Sequence, residues 1–214
     1  MGEPQMLDAF EPPRDMRVER LAKHARKVAA RRSQTLEIPD AHALRVATLS
    51  AEISDRIGLL RHEVETVVEG ALLHDLGKAR VPKAILDVDR ALTDSEYATV
   101  KKHPSWGAAL VEGFVPPNAL LAIRHHHERW DGTGYPSGLA GHDIPIEARI
   151  VGIADAFVAM REERAYRAAK TTRDAVAELH RSAGAQFDPH LVDPLVESVV
   201  AEERPPLRLV SRLH

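Results

Sequence analysis

Arg124-His125-His126-His127-Glu128-Arg129-Trp130-Asp131-Gly132-Thr133-Gly134-Tyr135-Pro136 is the stretch from which the rest of the chain is read. Three consecutive imidazoles run into a carboxylate and then into a turn dense in glycine. Adjacent residues on an α-helix diverge by about 100°, so three neighbouring rings cannot share one buried face, and a solvated face needs none of them. The pattern points to a metal centre at a helix end, followed by a loop that shapes an approach for substrate. Imidazole nitrogen and carboxylate oxygen suit borderline divalent cations. Cysteine is absent, so His and Asp must supply the ligands.

Further candidates lie on either side. They are His42, the adjacent His74-Asp75, His103 and Asp155. His74 and Asp75 close an apolar helix just before Gly77-Lys78. Asp155 interrupts the apolar run Ile150-Val151-Gly152-Ile153-Ala154, where an unpaired carboxylate is costly to bury. Taken singly, these residues have ordinary readings: His42 suits a helix surface, and His103 before Pro104 suits a helix end, where an imidazolium meets the negative pole of the dipole. His24, His62, His142, His180, His190 and His214 stay in that class. Taken together, ligand-type residues on five helical segments, each beside a break or within an apolar face, point to a metal centre.

The segments themselves read as helices. Asp40 is the expected cap of a helix over 41–57; the next, over 62–76, is expected to stop at Gly77. Thr93-Asp94-Ser95-Glu96 has the form of a capping box for a helix reaching 103 and stopped by Pro104. Helices follow over 105–112, 118–127, 146–160 and 172–183. The last opens at Asp188-Pro189, with proline at its first position, and runs to 202. No run of alternating strands appears. The expectation is an all-α, single-domain helical bundle over 36–203, with a tail at 204–214.

Residues 1–35 read as a loose, proline-bearing tail and then a basic helix over 16–33 with Arg17, Arg20, Lys23, Arg26, Lys27, Arg31 and Arg32. Its thin apolar stripe of Leu21, Ala25 and Val28 suggests a solvated helix packed weakly on the domain. The sharper reading is a surface for a partner or an anionic ligand. At 214 residues the chain can bury one good core, and 44% hydrophobic with 29% charged residues is a soluble composition. A net charge of -3 gives no basic surplus for DNA. No apolar run reaches the ~18–20 residues of a membrane span, and no secretory signal core is present. The chain is expected to be cytoplasmic.

One set of motifs, in order, goes beyond composition: His42-Ala43-Leu44-Arg45-Val46-Ala47, His74-Asp75-Leu76-Gly77-Lys78, Pro82-Lys83-Ala84-Ile85-Leu86, Leu92-Thr93 with Glu96, His103-Pro104 with Gly107, and His126 to Pro136 as HHExxDGxGYP. Gly138-Leu139, Ile144-Pro145, Ala148-Arg149-Ile150 with Asp155, and Phe187-Asp188-Pro189 follow. Over residues 38–200 the chain closely resembles the HD-GYP family, a branch of the HD-domain metal-dependent phosphohydrolases.

The resemblance implies a helical bundle holding two or three metals and hydrolysing cyclic di-GMP to pGpG or onward to GMP, by attack of a hydroxide held between metals. Carried over by motif, the metal ligands are His42, His74, Asp75, His103, His126, His127 and Asp155, with Asp75 bridging. Lys78 is the implied contact to a phosphate oxygen, and Tyr135 flanks the nucleotide. Arg164 and Arg167 match the two arginines of the family's RPYR element, which bind phosphate or guanine edges. Glu128 and Asp131 are expected behind the ligands, as partners for the far nitrogens of metal-bound imidazoles. Gly132 and Gly134 permit the turn.

Three departures refine this. Three-metal members carry a glutamate where Ile38 stands, so two divalent ions are expected, iron or manganese first, with zinc and nickel also compatible. Val158 stands where the family commonly has a second Asp. Arg161-Glu162-Glu163 and Ala165 change the approach to the arginine element. The alternatives are a cyclic di-GMP receptor or protein-interaction module with little turnover, an HD-type phosphohydrolase on a linear nucleotide or cyclic GMP-AMP, and a di-iron oxygenase. Regulation is expected through the basic helix, a homodimer or a separate regulatory protein.

Overall fold

The Asp40 carboxylate accepts a 2.8 Å hydrogen bond from the Ala43 N–H and so starts α2 (Ala41–Arg56). The computed structural model describes residues 15–32, 39–163 and 168–202. Before α2 comes α1 (Met16–Arg32); after it come α3 (Arg61–Leu73), a 3₁₀ turn over Leu76–Arg80, α4 (Lys83–Leu86), α5 (Asp94–Val100), α6 (His103–Val111), α7 (Pro117–His125), α8 (Ile146–Arg161), α9 (Thr172–Ser182) and α10 (Pro189–Glu202). Among the described residues there is no strand, only an isolated bridge between Ala183 and Phe187. The all-α expectation holds.

α3 runs through the centre. Its Val64, Val67, Val68, Ala71, Leu72 and Leu73 are all fully buried, with α1, α2, α7 and α8 packed around it. α2 adds Val46, Leu49 and Ile53, α7 adds Ile123, and α8 adds Ile150, Ile153 and Phe157. Each such side chain stabilises the fold by about 1.5–3 kcal/mol relative to exposure. α10 closes the far side, where Arg56 of α2 donates to the Ser198 hydroxyl at 2.8 Å.

Three expectations need correction. The basic helix is not weakly packed: Val18, Ala22, Ala25, Val28 and Ala29 are buried in the shared core, while Leu21 is only partly covered. Arg17 also reaches Asp15 and Asp55, and Arg20 reaches Glu65. The stripe was misread because alanines carry much of it, and they let α1 approach closely.

The helix expected over 62–76 ends at Leu73, and Gly77 is not its terminator. Gly77 lies in the following 3₁₀ turn, where an added Cβ would sit 1.9 Å from the His103 carbonyl oxygen. Its lack of a side chain lets this turn press against α6. Finally, His103 does not end a helix but opens α6, with Pro104 in that helix's first turn, where its missing N–H costs nothing. The capping box of α5 forms as expected, with the Thr93 hydroxyl accepting from the Glu96 N–H and the Glu96 carboxylate accepting from the Thr93 N–H.

Candidate metal centre

The last turn of a helix leaves carbonyl oxygens without partners. Three histidines use them here. Nδ1 of His74 is 2.7 Å from the Ala71 carbonyl, Nδ1 of His103 is 2.8 Å from that of Val100, and Nδ1 of His126 is 2.8 Å from that of Ile123. Each carbonyl lies three residues back, at the C-terminal end of α3, α5 or α7. An Nδ1–H donated to a carbonyl fixes the tautomer, so all three Nε2 atoms carry lone pairs. The ends that converge are also the negative ends of their helices, which favours a cation between them.

Asp75 follows His74 and lies between two groups of ligand atoms. One group is His42, His74 and Asp75; the other is His103, His126 and His127. Within each group the ligand atoms lie within 4.8 Å of one another. Asp75 touches both groups, with Oδ2 3.4 Å from Nε2 of His74 and Oδ1 3.3 Å from Nε2 of His103. Asp155 reaches in from α8, with its Oδ1 3.1 Å from Nε2 of His42. Gly152 lets α8 come this close, since a Cβ there would lie 2.6 Å from the His126 carbonyl oxygen. All seven expected residues are therefore brought together.

Four of the seven residues are held in the protonation state a metal requires. Burial, reinforced by the neighbouring imidazoles, holds His126 well below the ordinary range and takes His127 down to about 4. Burial alone would raise Asp75, but His74, Lys78 and His103 outweigh it and hold the carboxyl well below its usual range. Asp155 is depressed in the same way, mainly by His42. His42 and His74 go the other way: burial opposes their charge, yet Asp155 and Glu162 push His42 up to about 10, and Asp75 raises His74; both must give up a proton as metal binds.

Two details show that these residues fit a cation. The Nε2 atoms of His103 and His126 face each other at 3.4 Å with both Nδ1 atoms committed as donors. Two lone pairs at that distance repel unless a positive charge lies between them. Nε2 of His74 is buried without a well-formed hydrogen bond, its nearest acceptor being the Asp75 carboxylate at 3.4 Å, a costly state for a polar atom. Both conflicts vanish when a divalent ion accepts the lone pairs.

Over the centre opens a cavity of about 640 Å³. Lys78 and Tyr135 stand on its wall. Lys78 Nζ is 2.5 Å from Asp75 Oδ2, and the Tyr135 ring lies 4.9 Å from that of His127, centroid to centroid. Burial, with nearby acidic groups, raises the phenol above its ordinary range and keeps it protonated. Arg164 and Arg167 lie outside the described residues, as does Ile38.

Glu128 and Asp131 do not stand behind the imidazoles as expected; backbone carbonyls do that work for His74, His103 and His126. Glu128 is a buried anchor for the loop, accepting from the N–H groups of Ser137 at 2.7 Å and Leu139 at 3.2 Å, with Nδ1 of His125 at 3.4 Å. Asp131 pairs with Arg129 and accepts from Thr133. Gly132 takes the left-handed φ of +77° that the turn requires.

Sequence reasoning missed Glu162, both of whose carboxylate oxygens lie 3.0 Å from Nδ1 of His42. Its spacing of seven from Asp155 was the available signal, because residues i and i+7 share a helical face, and Glu162 keeps to that side although it lies just past the last residue of α8. It also missed the buried pair of Arg149 and Asp188, 2.5 Å apart, which ties α8 to the start of α10. Nothing in the spacing of residues 149 and 188 signals that contact.

A family model described as "HD domain" matches residues 14–191. The chain belongs to the HD-domain family. HD-domain phosphohydrolases are metal-dependent, and the His126 to Pro136 stretch of this HD-domain chain carries the HD-GYP signature. It is 37% identical to the cyclic di-GMP phosphodiesterase response regulator RpfG of Xanthomonas campestris pv. campestris, over 91% of this chain and 51% of that one. It is 35% identical to 3′3′-cGAMP-specific phosphodiesterase 2 of Vibrio cholerae, over 81% of this chain and 33% of that one. The chain thus spans about half of the first relative and a third of the second. The fold is similar to that of a cyclic GMP-AMP-specific phosphodiesterase of V. cholerae (V-cGAP3), with a TM-score of 0.63 at 19% identity, covering 87% of this chain and 49% of that one. No helix among the described residues is long and apolar enough to cross a membrane.

Proposed function

We propose that this domain holds two divalent metal ions, iron or manganese, and hydrolyses a phosphodiester bond of cyclic di-GMP to give pGpG or, onward, GMP. One observation carries the reading: five imidazoles and two carboxylates converge on the floor of a cavity whose wall carries Lys78 and Tyr135. Divalent ions bound there supply Lewis acidity and make water acidic enough to act as a nucleophile near neutral pH.

The chain's own residues do the rest. His42, His74, His103, His126 and His127 would offer ring nitrogen to the ions, His42 and His74 giving up a proton to do so, while Asp75, in contact with both groups, and Asp155 would balance the metal charge. Lys78 moves from Asp75 to a non-bridging phosphate oxygen and stabilises the charge that develops there. Tyr135, held against His127, lines the nucleotide's side of the cavity. Arg164 and Arg167 contribute forked donors for phosphate or guanine edges. A guanine–adenine cyclic dinucleotide is the second reading, favoured by the similarity to a relative specific for 3′3′-cGAMP.

The test is metal analysis of anaerobically purified protein together with chromatography of the products formed from each dinucleotide. Two metals per chain and linear product from cyclic di-GMP are expected. Metal-loaded protein that leaves both dinucleotides intact, under ferrous and manganous conditions alike, would reduce the domain to a receptor.

A further inference from the structure

His42 cannot be oriented as the other buried histidines are. His74, His103 and His126 each give Nδ1 to a carbonyl at the end of the preceding helix. His42 is the second residue of α2, and the first turn of a helix offers unpaired N–H donors rather than carbonyl acceptors. Its Nδ1 needs a side-chain acceptor from elsewhere. α8 is the helix alongside, but Val158, one turn past Asp155, is apolar and fully buried. The acceptor comes one turn later still, from Glu162.

We propose that Glu162 is a positioning residue of the metal centre, its carboxylate holding Nδ1 of His42 so that Nε2 is presented to the metal. This rests on His42 being a metal ligand. Both Glu162 oxygens lie 3.0 Å from Nδ1, while Nε2 faces Asp155 at 3.1 Å. Thus α8 and the residue that follows it address both nitrogens of one ring, Asp155 from within the helix and Glu162 from just past its end. Arg45, one turn along α2 from His42, pairs with Glu162 on its other side. The carboxylate is thereby fixed from two directions, with only 23% of its side chain exposed. A carboxylate on the far nitrogen sets the tautomer and makes the near nitrogen a stronger donor to metal, and its loss typically costs 10–100-fold in affinity.

The alternatives are a plain ion pair that fastens α8 to α2 through Arg45, and direct ligation by Glu162. A Mn²⁺ titration followed by the electron paramagnetic resonance signal of the free aqua ion separates them, using the full chain and its His42→Ala, Glu162→Ala and Glu162→Gln variants. Wild type should bind two ions. His42→Ala should lose or strongly weaken one of them; unchanged binding there would remove the assignment of His42 itself, whatever Glu162 does.

Glu162→Ala should still bind two ions at saturation, with one site weakened by roughly 10–100-fold and the other unchanged. Glu162→Gln, which keeps an acceptor oxygen but no charge, should fall between Ala and wild type. Wild-type affinity at both sites, equal weakening of both, or one ion fewer at saturation would each overturn the proposal; the last result would make Glu162 a ligand. Where Glu162→Ala does not fold, Glu162→Gln decides: one weakened site supports the proposal, and unchanged affinity overturns it.

Discussion

The Lys78 head group meets the carboxylate shared by both ligand groups, 2.5 Å from Asp75. In the proposed reaction it changes partner, from Asp75 to the phosphate, so its charge matters most when the transition state forms. Lys78→Ala is expected to lower kcat about 100–1000-fold, the usual loss for one electrostatic donor, with the metal count unchanged. Steady-state kinetics beside metal analysis checks this; a lost metal would mean that Lys78 supports the centre rather than the chemistry. Asp75→Asn belongs to the other class: it should lose metal and activity together, because Asp75 contacts both groups of imidazoles.

At the level of elements, the centre depends on close approach between turns and helices. Gly77→Ala would push a Cβ to 1.9 Å from the His103 carbonyl oxygen, which is backbone and cannot step aside cheaply. A cost of about 1–3 kcal/mol and weakened metal binding are expected, measured by chemical denaturation and metal titration. A Gly77→Ala variant as stable as wild type would show that α6 can shift without harm.

The capping box of α5 makes a pH prediction. Hydrogen bonds from Arg90 first, then from Thr93, bring Glu96 down to about 2 from an ordinary value of 4.5. A carboxyl depressed on folding contributes stability that is fully present above its unfolded value and is lost as pH falls through its folded one. That contribution should therefore fade between pH 4.5 and 2, and Arg90→Ala should move the Glu96 titration, followed by nuclear magnetic resonance, back up toward 4.5. No movement would mean that the Thr93 bonds alone set it.

For the whole molecule, the poorly satisfied Nε2 of His74 and the facing Nε2 atoms of His103 and His126 make metal part of the stability of the fold. An ion at 1,000 times its Kd stabilises by about 4 kcal/mol, which for a domain of this size shifts Tm by roughly 8–16 °C. Calorimetry before and after chelation should show a drop of that order, reversed by adding Mn²⁺. An unchanged Tm would mean that the conflicts at the centre are relieved in some other way.

What the sequence determined by itself was local. Caps such as Asp40 and Thr93 read correctly because a cap is settled within four residues. The candidate ligands stood out because no packing requirement accounts for His and Asp at the ends of apolar helices, and the fold brings them together. The breaks around Gly77 and His103 did not, because both are set by contact between a turn and a helix far apart in the chain. The same holds for α1, whose alanine face has little local signal but finds α3 in three dimensions. The seating of His42 was decided only by the tertiary structure: its acceptor lies 120 residues away, just past the end of a helix that must meet α2 at one particular place before the two side chains can touch.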